Sequence, residues 1–126
     1  MTAPVWISTA VAEFGRRMGF TTLELNERGA AALRFENGIG LRLEYARESL
    51  SVSVTVPCGA DDATLKKLLV TAHPRNRLGV PLRVGRLAKT GEAFFLVQLP
   101  ERNVTDNALE TIFSGLWSLA TDFRSE

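Results

Sequence analysis

Residues 30–57 alternate with a period of two through three runs. Ile39, Leu41, Leu43 and Tyr45 alternate with Gly40, Arg42 and Glu44, and Leu50, Val52, Val54 and Val56 alternate with Ser51, Ser53 and Thr55. That period sends successive side chains to opposite faces of a sheet. One face is therefore apolar and must be covered, while the other is largely polar. The runs predict strands over 30–35, 39–45 and 50–56. The links Glu36-Asn37-Gly38 and 46–49 have hairpin length, and the first carries Asn-Gly turn chemistry. An antiparallel meander of this kind needs helices on its apolar face.

Three other segments have the pattern to supply them. Residues 4–18 put Ile7, Ala10 or Val11, Phe14 and Met18 on one helical stripe, with Pro4 suited to the first turn and Gly19 to the stop. Val5 and Trp6 lie off that stripe, so apolar surface is expected at the helix start. Residues 20–29 read as a connection. A second helix is predicted over 62–72, with Asp61 as N-cap and Leu65, Leu68, Leu69 and Ala72 on its stripe. Val70 points elsewhere, and Pro74 ends the helix. Strands are predicted over 82–87 and 92–99. The second of these is apolar on both faces, which implies burial on both and a partner subunit. A final helix, starting at Thr105 or Asn107 and running to Phe123, carries Leu109, Ile112, Phe113, Leu116, Ala120 and Phe123 on one stripe. Asn107 with Glu110 resembles a capping box, and Trp117 lies off the stripe. The order is α-β-β-β-α-β-β-α, an α+β fold with a twisted antiparallel sheet covered by helices.

The chain has 126 residues, the size of a single domain spanning 1–126 and enough to bury a core unaided. Charge is balanced, with 15 basic and 14 acidic side chains, which argues against a polyanion-binding role. Cys58 is the only cysteine and forms no internal disulfide, in keeping with a reducing compartment. The N-terminal residues lack a signal-peptide pattern, and no apolar run approaches the ~20 residues of a membrane span.

The inventory for catalysis is sparse. His73, the only histidine, sits at a predicted helix end beside no nucleophile motif, where a favourable terminal charge explains it. One Cys and one His make no ordinary zinc site. Asp61 and Asp62 read as caps, and Asp106 with Glu110 lacks a third acidic ligand. Gly38-Ile39-Gly40 has neither a Walker lysine nor a dinucleotide fingerprint. Asn103-Val104-Thr105 matches a glycosylation sequon but reads as a loop before a helix. No catalytic residue, metal site or cofactor is expected, and an enzyme is the weakest of the readings. Arg75, Arg77, Arg83, Arg86 and Lys89 form a basic cluster. Nucleic-acid or regulatory binding through it is the alternative function, although stacking aromatics are missing there. Trp6, Val70 and Trp117 exceed what one covered sheet needs, which points either to ordinary packing or to interfaces.

The full pattern resembles the class I type III secretion chaperones, the Tir-chaperone-like group of Gram-negative bacteria. The resemblance is carried by Phe14-Gly15-Arg16-Arg17-Met18-Gly19-Phe20, by Leu33-Arg34-Phe35-Glu36-Asn37-Gly38-Ile39-Gly40-Leu41-Arg42-Leu43, by Leu68-Leu69-Val70-Thr71-Ala72-His73, and by the final helix. It implies a non-enzymatic homodimer in the bacterial cytoplasm. Such a dimer binds the N-terminal segment of a secreted effector in extended form and delivers the complex to the secretion apparatus. It also implies effector contacts at Val5, Trp6, Leu33, Phe35, Leu41 and Leu43, and a dimer interface at Leu65, Leu68, Leu69, Val70, Leu82 and Val84. Members are typically acidic, whereas this chain is near neutral. Arg75, Arg77, Arg83 and Arg86 are therefore candidates to meet an acidic effector segment.

Overall fold

A computed structural model describes residues 3–57, 81–87 and 91–125. The predicted second helix lies outside them, together with Cys58, Leu65, Leu68, Leu69, Val70, His73, Arg75, Arg77 and Lys89. The described elements are α1 (Val5–Met18), β1 (Ala30–Arg34), β2 (Gly40–Ala46), β3 (Ser49–Pro57), β4 (Leu82–Leu87), β5 (Glu92–Pro100), a 3-10 turn (Glu101–Asn103) and α2 (Asp106–Ser125). All five strands stand where the sequence predicts them, within one residue at either end.

The sheet is antiparallel throughout and its strand order is β1-β2-β3-β5-β4. β5 therefore lies inside the sheet, between β3 and β4. This position explains its apolar character. Ala93, Phe95, Val97 and Leu99 are buried under the helices, while Phe94 and Leu96 are half-buried on the opposite face.

Register puts the alternating apolar sets in line. Leu43 pairs with Val52, Val52 with Val97, and Leu82 with Val97, so their side chains share the covered face. α2 packs on β3 and β5, and α1 packs against α2. The predicted stripe of α2 is buried in full, from Leu109 to Phe123. Among the described residues the core holds no buried polar or charged side chain. The other face carries Arg42, Glu44, Ser51 and Ser53 and stays open.

Local chemistry sets the ends of α1. Pro4 precedes the helix, and its carbonyl accepts hydrogen bonds from the N–H groups of Ile7 and Ser8. Gly19 ends it at φ 83°, a left-handed conformation that a Cβ disfavours. The Gly19 N–H donates to the Arg16 carbonyl and the Phe20 N–H to the Gly15 carbonyl, the two bonds of a Schellman motif. That motif returns Phe20 to the body of the protein.

Of the two expected starts of α2, the earlier one holds, and the cap differs from expectation. Thr105, not Asn107, is the cap. Its Oγ1 accepts the Ala108 N–H at 3.0 Å, and its carbonyl accepts the Leu109 N–H at 3.0 Å. Asn107 lies two residues past the cap, inside the first turn, and accepts from Arg17 instead, at 2.7 Å. Arg17 also pairs with Asp106 at 3.1 Å and Glu110 at 2.9 Å, fastening the end of α1 to the start of α2.

Candidate functional site

β1 and β4 are the outer strands. β1 ends beside an aromatic group that the two helices and the following turn bring together. The Schellman turn delivers Phe20, β1 runs into Phe35, and α2 contributes Phe113 and Trp117. Phe20 lies 5.3 Å from Phe35 and 5.6 Å from Phe113, ring centre to ring centre, and Phe35 lies 5.1 Å from Trp117. Most of these contacts are edge-on, the arrangement favoured by the ring quadrupole. Phe14 backs the group from inside the core at 5.8 Å from Phe113.

The rings do not close over completely. Met18, Phe20, Phe35, Phe113 and Trp117, with Ser114 and Ser118, line an open hollow of about 500 Å³. Met18, Phe20, Phe35 and Trp117 are all half-buried there. An apolar hollow of this kind, beside a strand edge, is suited to a side chain of an extended segment.

The main chain of β1 supplies the other half of the site. The Tyr45 N–H donates to the Gly29 carbonyl at 2.7 Å, and the Phe35 N–H donates to the Ile39 carbonyl at 2.8 Å. These bonds set the phase of the ladder. Ala31 and Leu33 turn their main-chain groups toward β2, so Ala30, Ala32 and Arg34 turn theirs away from the sheet. Among the described residues no strand pairs with this outward side, and an outer strand of that kind is a template for another strand.

The remaining predicted contact residues are divided. Leu33 and Phe35 are half-buried next to this edge. Leu41 and Leu43 are not surface residues, being 1% and 0% exposed. They lie on β2, one strand in from the edge and beneath the helices, so no client can reach them without unfolding the core. Val5 and Trp6 are exposed, at 83% and 48%, as the sequence pattern predicts. They stand elsewhere, at the start of α1. Trp6 lines a second open hollow of about 670 Å³ with Arg47, Glu48, Ser49, Gln98, Pro100, Glu101 and Arg102.

That second hollow borders the β2–β3 turn. Arg47 and Glu48 adopt φ 52° and 61°, the pair of positive values that a type I′ two-residue hairpin has. The Tyr45 hydroxyl donates to Glu101 Oε2 at 3.2 Å beneath it. Desolvation, and then the bond to the Glu101 carboxylate, raise the Tyr45 pKa above its usual value.

Of the predicted interface residues, Leu82 and Val84 are described and are half-buried on β4. Of the basic cluster, Arg83 and Arg86 are described, and both are exposed. An odd and an even position on one strand face opposite ways, so these two do not form one patch. Among the described residues no group of acidic, Cys or His side chains has the make-up of a metal site. Among them, too, no helix is long and apolar enough to cross a membrane.

Sequence reasoning missed Met18, Phe20, Phe113 and Trp117 as lining residues. The position of Phe20 directly after a helix-ending glycine was the available signal for one of them. The off-stripe position of Trp117 was the signal for another.

Comparison with known proteins gives a consistent result. The model for the Tir chaperone protein (CesT) family matches residues 9–124. A chain of the ExsC–ExsE complex crystal structure superimposes with a TM-score of 0.80 at 23% identity, covering 99% of this chain and 96% of that one. The Yersinia pestis type III secretion chaperone SycH, in complex with a stable fragment of YscM2, gives 0.69 at 19% identity, with 93% and 98% covered. The heterodimeric ExoU–SpcU complex from the type III secretion system of Pseudomonas aeruginosa gives 0.65 at 17% identity, with 93% of each chain covered. At these identities the likeness is one of fold. No curated protein sequence matches.

Proposed function

The chain belongs to the Tir chaperone protein (CesT) family, and from that premise we propose that it is a type III secretion chaperone. It binds the N-terminal segment of a cognate effector in extended form and keeps it soluble and competent for secretion. The observation that carries this reading is the outward main chain of β1 beside a half-exposed aromatic hollow. Main-chain pairing gives affinity with little demand on client sequence, and the hollow adds selectivity. The solved structures of similar fold include a type III secretion chaperone with a bound protein fragment and the HopA1–SchA chaperone–effector complex, which supports the same reading.

In this reading Leu33 and Phe35 contact the client with Met18, Phe20 and Trp117, while Val5 and Trp6 form a separate contact. The protein is a homodimer of single-domain chains, joined through Leu82 and Val84 of β4 together with Leu65, Leu68, Leu69 and Val70. It works in the bacterial cytoplasm, hands its client to the secretion apparatus, and carries out no chemical reaction.

The test is co-expression with the N-terminal fragment of a secreted protein encoded beside it in the native host. A soluble complex is expected. Trp117→Ala removes a central aromatic anchor and is expected to weaken binding by about 2 kcal/mol, roughly thirtyfold in Kd. Full affinity in that variant, with the complex intact, would move the client away from the hollow.

A further inference from the structure

Three hydrogen bonds at the start of β1 limit how a strand is added to this edge. Ala30, Ala32 and Arg34 all face outward, yet they are not equally available. The Asn26 N–H donates to the Ala30 carbonyl at 2.9 Å. The Ala30 N–H in turn donates to Asn26 Oδ1 at 3.1 Å, and Oδ1 also accepts the Arg28 N–H at 2.9 Å. Asn26 thus occupies both outward groups of Ala30, as a paired strand residue would. Among the described residues nothing occupies those of Ala32 and Arg34, and both residues are exposed.

The Arg34 side chain leaves its own edge clear. Its Nη1 donates to the Gly38 carbonyl at 3.0 Å and to Glu92 Oε2 at 3.1 Å. The guanidinium therefore lies back across the open face toward β5. It passes over Gly40, where a Cβ would stand 3.7 Å from the Arg34 guanidinium carbon.

We infer that Asn26 is a register stop: an added client strand pairs with Ala32 and Arg34 alone, and its two residues opposite Leu33 and Phe35 are apolar. The inference rests on the effector-binding reading above. The geometry follows from strand alternation. Client residues opposite Ala32 and Arg34 exchange main-chain bonds and point to the open face. Those opposite Leu33 and Phe35 point to the covered face, two positions apart, and the second reaches the aromatic hollow. An effector segment is thereby selected by an apolar-x-apolar pair at one fixed distance from the Asn26 stop. Without the stop, a strand sliding by two residues would keep its main-chain bonds and lose the hollow.

Peptides selected on the full-length protein from a random dodecapeptide library displayed on phage provide the probe. Amide hydrogen exchange is then read by NMR with and without each synthetic peptide. The Ala32 and Arg34 amides are expected to exchange about tenfold more slowly, or slower still, in the complex. The Ala30 amide, already bonded, is expected to keep its free-state rate. The recovered peptides share two apolar positions separated by one residue. Asn26→Ala removes the acceptor for Ala30, and the protected set is expected to extend to that residue. Asn26→Asp keeps an acceptor and is expected to keep the wild-type pattern. Peptides that lose affinity in Trp117→Ala but leave Ala32 and Arg34 at free-state rates overturn the register while sparing the hollow as the client site. Protection of Ala30 in the wild-type complex overturns the stop itself. Recovery of no binding peptide, or of peptides indifferent to both edge and hollow, overturns the register and the effector-binding reading together.

Discussion

Gly15 and Gly19 decide where Phe20 goes, and Phe20 is one wall of the hollow. At Gly15 an added Cβ would stand 2.8 Å from the Phe20 carbonyl oxygen and 3.1 Å from Leu23 Cβ. Neither neighbour is the free end of a flexible chain, so the turn would have to move. Gly15→Ala is expected to cost about 2 kcal/mol, as overpacking in a close contact does, and to lower the thermal midpoint. An unchanged midpoint would show that the turn adjusts freely. Gly19→Ala has open space but an unfavourable φ of 83°, and is expected to cost less, about 1 kcal/mol. Tyr45 gives a residue-scale prediction in pH. Its pKa is raised in the folded state, so its protonated form is favoured by folding. That contribution is complete below the unfolded tyrosine pKa near 10 and is lost as pH rises through the higher folded value. Chemical denaturation followed into alkali should show a decline that Tyr45→Phe makes shallower. An identical decline in both proteins would assign it to other groups.

At the scale of elements, the strands were legible because their period of two is tied to a face that must be buried. The alternation of Leu41 and Leu43 with Arg42 and Glu44 survives intact in the burial pattern of β2. The same alternation argues against both leucines as client contacts, since a covered face one strand in from the edge offers no access. Their contact role came from the family resemblance rather than from the residues. The cap of α2 was less legible. Thr105, Asp106 and Asn107 are three consecutive capping types, and the spacing of Asn107 to Glu110 fits a capping box. What decides among them is which carbonyl receives the first helical bond, and that depends on how Val104, buried in the core, fixes the approach of the chain. Thr105→Ala is therefore expected to cost about 1 kcal/mol. Asn107→Ala removes only a solvent-exposed bond to Arg17 and is expected to cost clearly less. Thermal or urea unfolding of the two variants side by side checks the assignment, and equal losses would contradict it. The hollow itself was illegible for a related reason. Its four rings come one from a helix stop, one from a strand end and two from α2, and no local period links the three elements.

At the scale of the whole molecule, a five-stranded sheet has two outer strands, and the proposed function assigns a different task to each. β1 carries the aromatic hollow at its end. β4 carries Leu82 and Val84 half-buried on the covered side, and Leu87 is 41% exposed on the open side. Gly85 is held close under Phe94, where a Cβ would meet the ring at 2.6 Å, so β4 and β5 form a tightly fitted pair. Strand β4 thus offers a firm, partly apolar border, suited to a copy of itself, whereas β1 offers, at Ala32 and Arg34, main-chain groups that no described residue occupies and that suit a client. If the two tasks are separate, they can be disrupted separately. Sedimentation of the wild-type protein at micromolar concentration is expected to give twice the chain mass of 13.8 kDa. Val84→Asp places a charge on the proposed interface, whose burial without a partner is costly, and is expected to shift the mass to that of one chain. The variant should keep its far-ultraviolet circular dichroism, because Val84 is not part of the buried core. Client peptides should still protect the β1 edge in that monomer with an affinity within about tenfold of wild type, since no contact of the hollow is removed. A wild-type monomer would remove the dimer from the proposal while leaving the β1 site intact. A monomeric variant that loses all peptide binding would mean that each client site is completed by the second subunit, and the two edges would then act as one surface.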